Sequence, residues 1–131
     1  MLLLLPLAAG AAGAAWAAGA ADGPKLVCDR PAFRFGTVDP SAVIAHVFTV
    51  RNEGNLTFFA GSVQTGCSCT AGRLDRRSIP PGETAELTAM FTAAGRKGLQ
   101  KQRLRLYGAG EEEPVLTFYM EGLVESPARS H

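Results

Sequence analysis

Two cysteines separated by a single residue, Cys67 and Cys69, are the side chains of this chain best suited to chemistry. Thiolates are soft ligands for copper(I) or zinc, and two nearby thiols can also form a disulfide or respond to oxidation. If the segment is extended, both side chains point to one face with Cα atoms about 6.6 to 7 Å apart, at the limit for a disulfide. A bridge between them would therefore require a tight turn.

Cys28 is the third cysteine, and it adds further pairings. A bridge from Cys28 to Cys67 or Cys69 would close a loop of about 40 residues and contribute about 4 kcal/mol in the chain-entropy model. Because the number of cysteines is odd, one bridge always leaves one thiol over. The sequence is compatible with free thiols, with any of the three disulfides, and with a copper or zinc site at Cys67 and Cys69 to which Cys28 or His46 adds a ligand.

The remaining polar side chains do not form a catalytic set. The two histidines are His46, on a strand face with Ile44 and Phe48, and His131 at the C-terminus, and no serine stands in a nucleophile elbow. A single histidine among apolar neighbours is more often a packed residue than a ligand. We predict no catalytic residue and no cofactor other than copper or zinc, and we expect that the chain is not an enzyme.

The charged residues do not indicate a nucleic-acid site. Thirteen Lys and Arg residues against twelve Asp and Glu residues give a formal net charge of +1. Lys101, Arg103 and Arg105 share one face of a predicted strand, but no aromatic stripe accompanies them, and glutamates at 111–113 lie in the adjoining turn. This pattern favours a solvated sheet face with cross-strand ion pairs, without nucleic acid as a partner.

The N-terminal segment is typical of exported proteins. Residues 1–21 contain no charged side chain, and Ala18-Gly19-Ala20 provides a small-residue cleavage site just before the first charge, at Asp22. The alternative for this segment is an uncleaved membrane anchor. We predict a signal peptide over 1–21, one domain over 22–125 and a disordered tail over 126–131. The mature protein is expected to be periplasmic or secreted, with no stable membrane span.

Beyond this segment, apolar and polar residues alternate in short stretches that turn residues separate. The alternation has the period of half-buried β-strands, and no long stretch has a helical period. We predict an all-β fold, an antiparallel immunoglobulin-like sandwich of about seven strands. The clearest predicted strands are 44–52, 85–92, 103–106 and 116–121, and the shorter ones are 26–28, 33–35 and 56–63.

Two turns have a specific sequence signature. Asn52 and Gly54 flank a tight reversal, where Asn can bond its own backbone and Gly can adopt a positive φ. Pro81 and Gly82 suit the two central positions of a type II turn. We interpret all four residues as structural.

Several sequence blocks together resemble the bacterial domain of unknown function 1573. The resemblance implies an immunoglobulin-like sandwich, related in architecture to Hydin-type and pilus-chaperone domains, in an exported protein of unestablished biochemical role. This chain differs from the usual pattern at Ser68, where the family commonly has Gly, and at Thr57, where it often has Pro. The matching blocks are 35–38 (Phe-Gly-Thr-Val), 48–55, 67–70 (Cys-Ser-Cys-Thr), 79–83 and 95–98.

Two functions are compatible with these features. The first is a noncatalytic module of the bacterial cell envelope, structural or bound to another exported or envelope protein, as sandwich domains can do by strand addition. The alternative is a small metal-binding or redox-responsive envelope protein that uses Cys67 and Cys69.

Overall fold

The structure, a computed structural model, describes residues 22–127, which form nine β-strands and no helix. This part of the chain therefore has no helix long and apolar enough to cross a membrane. The predicted signal peptide and residues 128–131 of the predicted tail lie outside the described residues. The strands are β1 (Leu26–Val27), β2 (Ala32–Val38), β3 (Val43–Asn52), β4 (Phe58–Thr65), β5 (Thr70–Leu74), β6 (Ser78–Ile79), β7 (Thr84–Thr92), β8 (Gly98–Gly108) and β9 (Pro114–Val124).

The strands form two sheets that pack face to face. One sheet has four strands in the order β1-β3-β7-β5, and the other has five in the order β2-β9-β8-β4-β6. The chain changes sheet between β1 and β2, so β2 reaches the edge of the second sheet and runs parallel to β9. All other pairs are antiparallel. The prediction of an all-β sandwich is confirmed, but it was wrong in expecting about seven strands and only antiparallel pairs.

The core lies between the two sheets and follows the alternation of the sequence. In β7 the residues at odd positions are buried and those at even positions are exposed. The inward residues of β7 belong to the same core cluster as Leu104 and Leu106 of β8 and Phe118 and Met120 of β9. These four residues of β8 and β9 are inaccessible to solvent. Burial of one face of each strand is the principal stabilising contribution of such a sandwich.

Two short strands, β5 and β6, were not predicted. The central one of the three inward positions of β5 is occupied by Gly72, where a Cβ would lie 2.7 Å from Leu104 Cδ2 and 2.8 Å from Val63 Cγ1. The apolar side chains that fill this position come from other strands, so β5 itself shows no apolar alternation. β6 has two residues, too few for any period to be visible.

Candidate functional site

The Cys67 and Cys69 pair lies in the turn that connects β4 to β5. Thr70 N donates to Cys67 O at 3.2 Å, which closes a tight turn, and Thr65 Oγ1 lies 3.0 Å from the carbonyl oxygens of both Cys67 and Thr70. Thr92 N, on β7, donates to Cys69 O at 2.8 Å and fixes the turn to the sheet. The Cα atoms of the two cysteines are 5.1 Å apart, closer than in an extended strand, and their sulfurs form a disulfide.

The two sulfurs of this disulfide have different surroundings. Cys67 Sγ accepts hydrogen bonds from Cys69 N at 3.0 Å and from Arg96 Nη2 at 2.8 Å. Cys69 Sγ has a single hydrogen-bonding neighbour among residues 22–127, Thr70 Oγ1 at 3.5 Å. Cys69 also packs against the hydrophobic core. The asymmetry places both N–H donors on one sulfur.

Cys28 and His46 lie elsewhere and do not join the pair. Cys28 follows Val27, which is paired with Arg51 at the far end of β3, on the opposite edge of the four-stranded sheet from β5. The distance along β3 alone is roughly 20 Å at the rise of a strand. Among residues 22–127, no three His, Cys, Asp or Glu side chains come close enough to hold a metal ion. While Cys67 and Cys69 are bridged, neither offers a thiolate to copper or zinc.

His46 is held in an aromatic stack. Its ring lies 3.9 Å from the ring of Phe33 in nearly parallel planes, and 4.6 Å from the ring of Phe48 edge to face. Partial burial lowers the pKa of His46 below its ordinary value of 6.5, because the apolar neighbours disfavour the charged imidazolium. The neutral ring therefore acts as a packing element between the sheets.

Cys28 is a free, half-buried thiol. Burial raises the pKa of this thiol, a backbone hydrogen bond from Arg30 opposes the shift, and the neighbouring charge of Asp29 adds to it. A thiol that stays protonated is a poor nucleophile. Cys28 thus has the surroundings of an unreactive packing residue.

Beside Cys28, the edge of β3 is open. β1 covers only Arg51 and Asn52 of this strand. At the two ends of the β3–β7 ladder, the hydrogen-bonding residues of β3 are even-numbered, since Ala42 O accepts from Ala93 N and Asn52 N donates to Glu83 O. Main-chain groups alternate in direction along an antiparallel pair. The open edge therefore carries the N–H and C=O groups of Val43, Ala45, Val47 and Thr49.

A groove of about 320 Å³ runs along part of this open edge. The segment 27–30, which leaves β3 on its way to the other sheet, forms one wall, and residues 46–49 form the other. The outward side chains of the open part of the strand are Val43, Ala45, Val47 and Thr49, with Val43 57% and Val47 45% exposed. Between Val43 and Val50 the strand has no acidic or basic residue other than His46, whereas Asp29, Arg30 and Arg51 line the groove at its other wall and end.

The long edge of the second sheet has features that oppose strand addition. β2 carries Arg34, whose side chain is 86% exposed, and its ladder with β9 is irregular between Arg34 and Gly36. Charged side chains and bulges are common devices that prevent edge-to-edge pairing. The open part of β3 has neither a bulge nor a proline.

Asn52 organises the turn between β3 and β4. Its side chain is fully buried; Oδ1 accepts from Lys25 N at 3.1 Å and Gly54 N at 2.9 Å, and Nδ2 donates to Leu56 O and Ile79 O, both at 2.8 Å. The predicted bond of Asn52 to its own turn is thus one of four.

The two predicted glycines act in different ways. Gly54 does not have the positive φ that the sequence suggested. It is needed for space, because a Cβ there would lie 2.6 Å from Lys25 N. Gly82 has φ of 82°, and Glu83 N donates to Pro80 O at 3.1 Å, the geometry of a type II turn with Pro81 and Gly82 at its centre.

On the outer face of the five-stranded sheet, Lys101 Nζ lies 3.7 Å from Glu121 and 4.9 Å from the ring centre of Tyr119. Arg103 and Arg105 belong to no salt bridge within residues 22–127. Both border shallow depressions beside Gly66, at the start of the cysteine turn. Of the three cations expected to form cross-strand ion pairs, Lys101 does so within residues 22–127, and Arg103 and Arg105 remain as cationic side chains near the turn.

Sequence reasoning missed two features of these surfaces. The contact of Arg96 with Cys67 joins residues 29 positions apart and has no local signature. The open edge of β3 follows from where the chain changes sheet, and a strand's hydrophobic pattern does not reveal its neighbours. The sequence signal nearest to it is Pro31, which interrupts the first predicted strands.

The two packed sheets define the class of this protein, an all-β immunoglobulin-like sandwich. The chain belongs to the family described as protein of unknown function DUF1573, whose model matches residues 26–124. The resemblance inferred from the sequence blocks is thereby confirmed. No curated protein matches the chain.

Similar solved structures share the fold at low sequence identity. A protein of unknown function from Porphyromonas gingivalis W83 has a TM-score of 0.65 and 16% identity, over 78% of this chain and 47% of that one. The secreted serine protease VesC from Vibrio cholerae has a TM-score of 0.57 and 13% identity, over 76% of this chain and 23% of that one. The chain thus spans less than half of either protein.

A third structure is a separate domain of similar size. The ASH/PapD-like domain 7 of human CEP192 has a TM-score of 0.54 and 12% identity, over 79% of this chain and 87% of that domain. At these identities the likeness establishes the fold alone.

Proposed function

We propose that this protein is a noncatalytic interaction module of the bacterial cell envelope that binds an extended segment of another exported protein along the open edge of β3. The observation that carries the proposal is the row of main-chain groups at Val43, Ala45, Val47 and Thr49 that have no strand partner among residues 22–127. A segment that adds to a sheet edge gains affinity from main-chain hydrogen bonds and specificity from alternate side chains.

The surface around this edge suits such a segment. The exposed valines Val43 and Val47 share the outer face with Met90, which is 43% exposed on the neighbouring β7. A bound strand would continue this apolar face with its own apolar side chains. The groove between β3 and the segment 27–30 would take the end of that strand.

A proline substitution tests the main-chain part of the proposal. Val47→Pro removes an N–H that points to the open edge and leaves the bonds between β3 and β7 intact, whereas Val47→Ala shortens the same side chain and keeps the N–H. With a photo-crosslinking residue at position 45, the parent and Val47→Ala should give the same adduct in envelope extract. In Val47→Pro the yield of this adduct should fall at least about tenfold, because the variant loses one or two hydrogen bonds to the bound strand and its ring blocks the edge sterically.

Two controls make the result specific. The melting temperatures of both Val47 variants are measured first, so that loss of the fold is not mistaken for loss of binding. The same crosslinker at position 34, on the protected β2 edge, should give no such adduct. An adduct that survives Val47→Pro in a folded protein would refute binding by strand addition at this edge.

The proposed compartment is supported by the uncharged N-terminal segment and by the disulfide, because disulfides persist in oxidising compartments. Cell fractionation with N-terminal sequencing should find a mature chain that begins near Asp22 in the envelope or the medium. A chain with intact Met1 in the cytosolic fraction would overturn the proposal of export.

A further inference from the structure

The disulfide turn lies on the other side of the four-stranded sheet from the open edge of β3, and its geometry points to a second activity. In the dithiol form, the two N–H groups that now contact Cys67 Sγ would donate to a Cys67 thiolate, and one of them belongs to the cationic Arg96. N–H donors and nearby cations stabilise thiolates, which are the nucleophiles of thiol chemistry. Cys69 lacks such donors and packs against the core.

We propose that Cys67 and Cys69 form a thiol–disulfide exchange site in which Cys67 is the nucleophile and Cys69 resolves the mixed disulfide. The partner is a disulfide in a peptide or protein segment with acidic residues around it. This inference does not depend on the strand-addition proposal, because the two sites use different edges of the sheet.

The exchange is balanced in two steps. The Cys67 thiolate attacks one sulfur of the partner disulfide; a mixed S–S bond forms, the partner's S–S bond breaks, and the released partner thiolate takes up a proton. Cys69 then loses its proton to solvent and attacks Cys67 Sγ, forming the Cys67–Cys69 disulfide and releasing the second partner thiolate, which is protonated. Two electrons pass from the cysteine pair to the partner disulfide, and the two released partner thiolates take their protons from solvent, to which Cys69 has given one; the reverse reaction oxidises a partner dithiol.

The preference for acidic surroundings follows from the charges near the turn. Arg96, Arg103 and Arg105 take part in no salt bridge within residues 22–127. The two depressions that border Gly66 are lined by Arg103, with Lys101 on one side and Arg105 on the other, and by no carboxylate. Since the whole chain has a net charge of only +1, this concentration of cations is local. Such a surface steers anionic segments toward the sulfurs.

The experiment uses the reduced protein, residues 22–131, and two synthetic peptides that each carry one cysteine disulfide-bonded to thionitrobenzoate. One peptide has acidic flanks and the other has lysine flanks. Chromophore release under single-turnover conditions should be faster for the acidic peptide by at least about fivefold at low salt, and the difference should shrink at high salt as the charges are screened. Equal rates at low salt would refute the acidic partner.

Variants test the roles of the two sulfurs. Cys69→Ser should trap the mixed disulfide on Cys67, whereas Cys67→Ser should react at least about tenfold more slowly, since Arg96 contacts neither of the two remaining thiols, Cys69 and Cys28. Arg96→Gln should slow the reaction about fivefold to tenfold, the usual effect of losing one exposed charge-assisted hydrogen bond. Lys97→Gln is the matched control, because it removes a neighbouring cation whose side chain does not contact the sulfur; it should change the rate by less than about twofold.

Two measurements use the unmutated protein, so their results do not depend on whether a variant folds. Substoichiometric alkylation of the reduced parent protein, mapped by mass spectrometry, should label Cys67 before Cys69 and Cys28. Equilibration with a glutathione redox buffer should give a mixture of dithiol and disulfide forms. Preferential labelling of Cys69, an unchanged rate in Arg96→Gln, or a disulfide that stays fully oxidised in reduced glutathione would each overturn the proposal.

Discussion

Replacement of Asn52 is expected to destabilise the domain more than any other single polar substitution in its turns. Asn52→Ala removes all four side-chain hydrogen bonds, to Lys25 N, Gly54 N, Leu56 O and Ile79 O. These bonds join the start of β1, the β3–β4 turn and β6. Because the Asn52 side chain is fully buried, its removal leaves several of these main-chain groups unpaired.

The magnitude follows from the burial of each partner. A typical hydrogen bond contributes about 1 kcal/mol net, and a buried group left unpaired costs about 1–3 kcal/mol. The bond to Ile79 O is buried, whereas the other three are partly buried and water can reach their partners. We therefore expect a loss of about 3–5 kcal/mol in the free energy of unfolding. The whole free energy of unfolding of a domain of this size is about 5–15 kcal/mol, so this single loss would be a large part of it.

Urea denaturation measures this loss, and Asn55→Ala provides the matched control. Asn55 lies in the same turn and also makes two side-chain bonds, to Gly23 N and Asp22 Oδ1, but it is exposed. Its replacement should cost less than about 1 kcal/mol, as exposed bonds compete with water. Asn52→Asp keeps the two acceptor contacts but brings a carboxylate toward Leu56 O and Ile79 O, so it should be at least as destabilising as Asn52→Ala near neutral pH. Equal losses for Asn52→Ala and Asn55→Ala would refute this reasoning.

Three further predictions concern packing, titration and thiol state. Because burial lowers the pKa of His46, the unfolded chain binds a proton at this residue more tightly than the folded chain does. The free energy of unfolding should therefore be highest above pH 6.5 and decrease as the pH falls from 6.5 through the folded pKa of His46. His46→Gln should remove this pH-dependent decrease, which urea denaturation at several pH values measures. Gly122→Ala should cost about 1–3 kcal/mol in thermal melts, since its Cβ would overlap the ring of Phe35, whereas Gly66→Ala, with open space around it, should be neutral. Alkylation of the denatured, unreduced protein should add one label, at Cys28, by mass spectrometry; a label on either other cysteine would contradict the bridge.

The sequence predicted those parts of the fold that depend on local periodicity. In β7 the buried residues are the ones that alternation assigned to the core, and Met90, an apolar residue at an outward position, is accordingly exposed. β5 shows the limit of this reasoning, since Gly72 leaves its space to Leu104 and Val63. Where the side chains of neighbouring strands fill the space at an inward position, the strand itself shows no alternation of apolar and polar residues that sequence analysis could detect.

The geometry of the candidate site depended on contacts between distant residues. An extended segment would keep Cys67 and Cys69 at the limit for a disulfide, and the tight turn that brings them together is fixed by Thr65 and by Thr92, on two other strands. The cationic donor comes from Arg96, in the turn after β7. None of these partners could be identified from the Cys-Ser-Cys spacing alone.

The sheet change between β1 and β2 determines which strand edge is left uncovered within residues 22–127. After Val27 the chain leaves β3, and from Ala32 onward it pairs with β9, so the edge of β9 is covered while most of β3 is exposed. The covering strand is the one that carries Arg34 and the irregularity at Gly36, whereas the uncovered strand is regular and apolar. If the open edge were only a by-product of topology, selection against aggregation would favour charges or a bulge on β3 as it does on other exposed edges. Their absence along Val43–Val50 supports the proposal that this edge, with its unpaired main-chain groups, binds an added strand.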